Sequence, residues 1–123
     1  MAKQVLIVDD EIGALTLIGI MLERGGFHVL KAQDAYAALD VLDHHNPDLI
    51  ILDVMMPGMN GIELARRLRT QETTYHTPII ILSARGDPEA VAEGLAAGAN
   101  DYLSKPILHN DLISKIREYL DTP

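Results

Sequence analysis

Five short apolar runs, at residues 5–8, 27–30, 49–52, 79–82 and, more weakly, 102–103, recur along the chain between stretches of helical length. Apart from His28 in the second, the residues within each run are consecutively apolar rather than alternating. This predicts strands covered on both faces, as in a parallel sheet. Leu15, Ile18 and Leu22 fall on one face of a first helix, which Gly25 and Gly26 end through a left-handed cap. A second helix is predicted from about residue 34 to 45, halted at Asn46-Pro47 because the residue before a proline is sterically kept out of the helical region. The third follows Gly61, with Ile62, Ala65 and Leu68 at helical spacing. The fourth covers roughly residues 88–97, with Pro88 near its first turn and Gly98 just past its end. The fifth carries Leu112, Ile116 and Leu120 on one stripe. Leu108, His109 and Asn110 compete for its start, and of these only Asn110 is a good cap. Strands separated by helices predict an α/β fold, a single (βα)5 domain over residues 1–123, doubly wound around a five-stranded parallel sheet. Right-handed crossovers then put helices on both faces.

Ligands in such sheets gather at the carboxyl ends of the strands. Those ends read Asp9-Asp10-Glu11 after the first run, Asp53 after the third, Ser83-Ala84 after the fourth and Ser104-Lys105-Pro106 after the fifth. Carboxylates converging there repel one another: two unit charges about 4 Å apart cost about 4 kcal/mol at an effective dielectric of about 20. Lys105 supplies one opposing charge, and a hard divalent ion would supply two. Mg²⁺ suits a site with few carboxylates, several waters and a phosphoryl oxygen to complete its shell. A carboxylate, an ammonium, a hydroxyl and a Mg²⁺ site are together the parts of a phosphoryl-transfer centre in which the carboxylate forms an acyl phosphate. Asp53 stands alone at a strand end and is the natural nucleophile, whereas the adjacent Asp9 and Asp10 are better placed to hold the metal. Glu11 reads as a solvated acid at a helix start, where it complements the dipole.

Composition narrows the field. With 18 acidic against 10 basic residues, the formal charge of −8 repels a phosphate backbone, so no nucleic-acid contact is expected from this domain. The chain has no cysteine, which excludes a disulfide framework or thiolate metal site and favours a reducing compartment, the cytoplasm. No run approaches a membrane span, and the N-terminus lacks the pattern of a signal peptide. The five histidines, His28, His44, His45, His76 and His109, scatter over separate segments without ligand spacing. In "MMPGMNG", Pro57-Gly58 fits a turn and Gly61 relieves the backbone before the third helix, while Met55, Met56 and Met59 read as shielding and packing.

Four motifs, in order and at the right spacing, carry a family resemblance: "LIVDDE", "DLIILDVMMPGMNGIEL", "PIIILSA" and "GANDYLSKP". The chain resembles the receiver domain of bacterial two-component response regulators, of both the chemotaxis and the transcription-regulator kind. The resemblance implies a flavodoxin-like strand order 2-1-3-4-5 and phosphorylation of Asp53 by a histidine kinase or phosphotransfer protein. It implies Mg²⁺ on Asp10, Asp53 and the backbone carbonyl of Met55, with Asp9 acting through water. Ser83 would bond the phosphoryl group, Lys105 would pair with it, and Ser83 and Tyr102 would form the switch. Pro106 would follow a cis peptide that aims Lys105. Output would pass through the face formed by the fourth helix, fifth strand and fifth helix, marked by Val91, Leu95, Tyr102 and Lys115, to an output domain or partner, and a phosphorylation-linked homodimer is a further possibility.

Two features depart from the family pattern. Ile107 stands where an aromatic ring often follows the proline, and residues 87–98 contain no Lys or Arg, which weakens the winged-helix type of dimer; Asp101 and Lys115 remain as members of a charge network. The resemblance implies a signalling protein that catalyses only its own Mg²⁺-dependent phosphorylation and dephosphorylation. An aspartyl-phosphate hydrolase would want an acid two residues after the nucleophile, and that position is Met55. A constitutive interaction module would not need Asp10, Asp53, Ser83 and Lys105 together.

Overall fold

In the computed structural model, which describes residues 2–120, strands and helices alternate in the order β1 (Gln4–Val8), α1 (Ile12–Arg24), β2 (His28–Ala32), α2 (Ala35–Leu42), β3 (Leu49–Leu52), α3 (Gly61–Leu68), β4 (Ile79–Ser83), α4 (Pro88–Ala96), β5 (Asp101–Ser104) and α5 (His109–Leu120). The strands form one parallel sheet in the order β2-β1-β3-β4-β5. Alternate residues of each strand point to opposite faces, so the sheet separates two apolar cores. Leu6, Ile50, Leu52 and Ile81 pack with α2 and α3 on one side, and Val5, Ile7, Ile51 and Leu82 pack with α1 and α5 on the other.

Polar residues at the helix starts set several boundaries. The Asp34 side chain accepts from the Ala37 amide at 2.7 Å and begins α2, and Asp87 does the same for Ala90 at 3.1 Å ahead of Pro88 in α4. Asn60 and Glu63 form a reciprocal capping box at α3, with bonds of 2.9 and 3.1 Å. Gly26 lies at φ +91° beyond α1 and Gly98 at φ +113° beyond α4.

Several expectations are corrected. Only β1, β3 and β4 are covered on both faces; β2 and β5 are partly exposed because each lies at a sheet edge. β2 is displaced toward the C-terminus, beginning at His28 and ending at Ala32, with Phe27 buried outside it. Register with β1 sets those limits, pairing Gln4 with His28 and Val8 with Ala32. α2 ends at Leu42, three residues short of its predicted end, and the chain closes with turns in which Val41 O accepts from the amides of His44 and His45. No apolar residue follows Leu42 before Pro47 to hold a further turn against the sheet. α5 starts at His109, with Leu108 O accepting from the Leu112 amide at 3.0 Å, so Asn110 lies inside the helix and caps nothing. A good cap contributes about 1 kcal/mol. Burying Leu112, Ile113 and Ile116 contributes about 1.5–3 kcal/mol each and sets the phase of the helix.

Candidate functional site

The sheet register brings the predicted residues to one edge. Asp9 directly follows β1, its amide bonded to Ala32 O, and Asp53 directly follows β3, its amide bonded to Val8 O at 2.9 Å. Lys105 directly follows β5, its amide bonded to Ser83 O at 2.8 Å, and the Lys105-Pro106 peptide is cis as expected. One carboxylate oxygen from each of Asp9, Asp10 and Asp53 lies within 4.8 Å of the others.

The three acids occupy different environments. Asp9 is 2% exposed; one oxygen accepts from the Lys105 ammonium at 2.6 Å and the other from the Glu11 amide at 3.0 Å. Asp53 is also buried, 3.6 Å from the same ammonium. Asp10 is exposed, as is Glu11. Burial pushes the Asp53 carboxyl above its ordinary pKa. The nearby Lys105 charge opposes this, Asp9 reinforces it, and hydrogen bonds from the Met55 and Val54 amides oppose it. Burial opposes the Lys105 ammonium, but its bond to Asp9 and the charges of Asp53, Asp9 and Glu11 outweigh that and hold its pKa above the lysine value. Two of the three clustered carboxylates, Asp9 and Asp53, therefore share one ammonium, and Asp10 adds a further charge beside them. The donor set is wholly oxygen and carries excess negative charge, which fits a hard divalent cation.

Lys105→Met is expected to lower stability at pH 7 by about 3 kcal/mol, because it leaves the buried Asp9 and Asp53 charges without their partner. With Lys105 gone, Asp53 loses the charge that opposed the upward push of burial on its pKa. A carboxyl whose pKa is raised in the folded state adds stability at low pH that is lost as pH rises, so the deficit should shrink on acidification from pH 7 toward pH 4. Urea unfolding of both proteins at the two pH values checks this; a deficit independent of pH would remove Lys105 from the electrostatics of the site.

Ser83 ends β4 fully buried, its Oγ accepting from the Arg85 amide at 3.2 Å. Tyr102 lies on β5, half-buried, with its ring against Ile81 and α4. Gly94 makes room for it, since a Cβ at that position would come within 2.8 Å of the ring. The Tyr102 hydroxyl donates to Arg85 O. Arg85 thus touches both predicted switch residues through its backbone, a role no sequence signal marks because the side chain takes no part. The guanidinium pairs instead with exposed Asp87 at 3.2 Å. Across the same face, Lys115 lies 3.2 Å from Asp101.

The loop from β3 to α3 closes the site. Met56 is buried and Met59 packs on the core, but Met55 is 60% exposed and shields nothing by its side chain. Pro57 is exposed before Gly58, which takes φ +76° and lies under the Tyr36 ring. Gly61 contacts the Asp53 backbone so closely that a Cβ would lie 2.0 Å from Asp53 O. Among the described residues, no helix is long and apolar enough to cross a membrane.

Comparison with known proteins agrees with this arrangement. The family model for the response regulator receiver domain matches residues 5–117. The chain is 42% identical to the phosphate regulon transcriptional regulatory protein PhoB of Pseudomonas aeruginosa over 118 residues, which are 96% of this chain and 52% of that protein. It spans about half the length of the curated relatives it matches. Among solved structures, the chemotaxis protein CheY4 of Vibrio cholerae superimposes with a TM-score of 0.92 at 34% identity, covering 97% of this chain and 99% of that one. The receiver domain of the Pseudomonas aeruginosa sensor histidine kinase PA1611, solved with a magnesium ion in its active-site cleft, gives 0.92 at 29% identity, with coverage of 99% and 100%.

Proposed function

The chain belongs to the response regulator receiver domains, proteins of two-component signal transduction, and from that premise we propose that it is a switch phosphorylated on Asp53 by a histidine kinase or histidine phosphotransfer protein. The observation that carries the reading is the cluster of Asp9, Asp10 and Asp53 at the strand ends, with the ammonium of Lys105 paired to Asp9 and Asp53 and the buried Ser83 ending the fourth strand. Relatives of the chain are signalling regulators rather than metabolic enzymes.

In the transfer, an Asp53 carboxylate oxygen attacks the phosphorus of the donor phosphohistidine. A P–O bond forms, the P–N bond breaks, and its electron pair returns to the donor imidazole. Mg²⁺, held by Asp10, Asp53 and the Met55 carbonyl with Asp9 through water, would supply positive charge to the phosphoryl oxygens. Lys105, already drawn between Asp9 and Asp53, turns its ammonium to the phosphoryl group. Ser83 Oγ accepts from the Arg85 amide, which leaves its proton to be donated to a phosphoryl oxygen.

The acyl phosphate brings roughly −1.5 to −2 charges. Drawing Ser83 toward it displaces Arg85, and Arg85 O is the acceptor that holds the Tyr102 hydroxyl. The signal then reaches the α4, β5 and α5 face, marked by Val91, Leu95, Tyr102 and Lys115, where an output domain, a partner protein or a second phosphorylated copy docks. Because the two packings differ by only a few kcal/mol, some active state exists before phosphorylation. Amide shifts with and without a phosphoryl mimic test this route. Changes are expected at Tyr102 and residues 87–98; shifts confined to the loops around Asp53 would overturn it.

Incubation with Mg²⁺ and acetyl phosphate, followed by intact mass, tests the reading as a whole. A single phosphoryl adduct is expected, whereas phosphate release without an adduct would indicate a hydrolase and no reaction a passive module. Mg²⁺ alone should stabilise the fold, by about 2.7 kcal/mol at 100 times its dissociation constant. Asp10→Ala should lose most of that gain, and equal thermal shifts in the two proteins would take Asp10 out of the metal site.

A further inference from the structure

At the opposite edge of the sheet, the residue that follows α3 makes an unusual set of bonds. Arg69 Nε donates to Gly98 O at 3.0 Å, Nη1 to the carbonyls of Thr74, Tyr75 and Thr77 at 3.0, 3.2 and 2.8 Å, and Nη2 to Asn100 Oδ1 at 2.8 Å. Among the described residues no carboxylate pairs with it. The cation is held instead by four backbone dipoles and one side-chain amide, an array that a planar five-donor fork can satisfy and a point charge cannot.

The acceptors come from two separate loops, one joining α3 to β4 and the other joining α4 to β5. Asn100 Oδ1 also accepts from the Ile79 amide at 2.8 Å, and the Asn100 amide donates to Ile79 O at 2.8 Å, so the second loop is tied to the first residue of β4 as well. Gly98 must remain glycine for two reasons: it lies at φ +113°, and a Cβ there would come within 2.6 Å of Arg69 Cγ. Ala97 and Ala99, on either side of it, are buried.

The other end of α4 is held weakly. Residues 84–89 are exposed, the Arg85–Asp87 pair is in solvent, and within the helix only Ala90 and Gly94 are buried. We infer that Arg69 is the positioning residue that fixes the C-terminal end of α4, so that this helix moves as a lever about residues 97–100 with its freedom confined to the N-terminal end. That free end carries Arg85 O, the acceptor of the Tyr102 hydroxyl.

Amide hydrogen exchange on the full chain, for wild type, Arg69→Gln and Arg69→Lys, tests the anchor without any phosphoryl group, so its outcome is independent of the role assigned to Asp53. In both variants the amides of Ala97, Gly98 and Ala99 are expected to exchange about tenfold faster or more, while those of residues 50–52 and of Val91 change only by the common factor set by global stability. Lysine is expected to fail as a replacement, which a purely electrostatic role would not predict. A uniform rise across all three regions, unchanged exchange at residues 97–99, rescue by lysine, or loss of the whole fold in both variants would each overturn the inference.

Discussion

Replacing Asp53 by Asn is expected to abolish acyl-phosphate formation completely while leaving the domain folded and slightly more stable at neutral pH. Asn nearly preserves the shape of the side chain, but its neutral amide is not the carboxylate nucleophile that the proposed transfer requires. The fold tolerates the change because Lys105 keeps its 2.6 Å bond to Asp9 and loses only the 3.6 Å contact. The sign of the stability change follows from the raised pKa of Asp53. Ionising a carboxyl whose folded pKa is raised costs the folded state free energy as pH rises through that pKa. An uncharged Asn avoids the cost, so its advantage is present at pH 7 and fades as pH falls through the raised pKa toward the ordinary carboxylate value, about 4. Intact mass after acetyl phosphate treatment, together with urea unfolding at the two pH values, checks both parts. An adduct formed by the variant at the wild-type rate would show that another residue is the nucleophile.

A large loss of stability that does not depend on charge is expected from Gly61→Ala. Gly61 opens α3, and its backbone runs against the residues that follow β3, with its amide bonded to Val54 O at 3.0 Å. A methyl group there would lie 2.0 Å from Asp53 O, 2.8 Å from Asp53 C and 3.0 Å from Val54 Cα. All three are backbone atoms, so no side chain can swing aside, and α3 must back away from β3. A loss of about 3 kcal/mol is expected, together with slower phosphorylation, because the displaced segment carries Asp53. Gly13→Ala is the control. Gly13 lies within α1, and the nearest atom to its Cβ is Glu11 Oε1 at 4.0 Å. There alanine should stabilise by up to about 1 kcal/mol, the helix-propensity difference. Similar unfolding midpoints for the two variants would show that the α3 start is free to adjust.

What the sequence by itself determined are features whose causes lie within a few residues. The consecutive apolar runs marked β3 to the residue and β1 and β4 to within one, because a strand covered on both faces has no polar side to show. The side chains of Asp34, Asn60, Glu63 and Asp87 each bond a backbone amide three residues away, so the causes of the α2, α3 and α4 starts lie within the local sequence. Alternation of strands and helices led to an α/β fold with its chemistry at the strand ends. The strand order came from family resemblance, because alternation does not say which strands are neighbours. Only the tertiary structure decided the rest. It joined Asp9 to Lys105 across 96 positions, made Asp9 the most buried acid of the three and left Asp10 at the surface. It set the ring of Tyr102 against Gly94, linked that tyrosine to Ser83 through the backbone of Arg85, and enclosed Arg69 in carbonyls from two distant loops. It also let β2 and β5 stay partly exposed and moved the start of α5 ahead of its best local cap, Asn110. The physical reason is the same in each case: a local preference contributes about 1 kcal/mol or less, whereas burial and the pairing of desolvated charges contribute several, and these depend on distances that exist only once the chain has closed on itself.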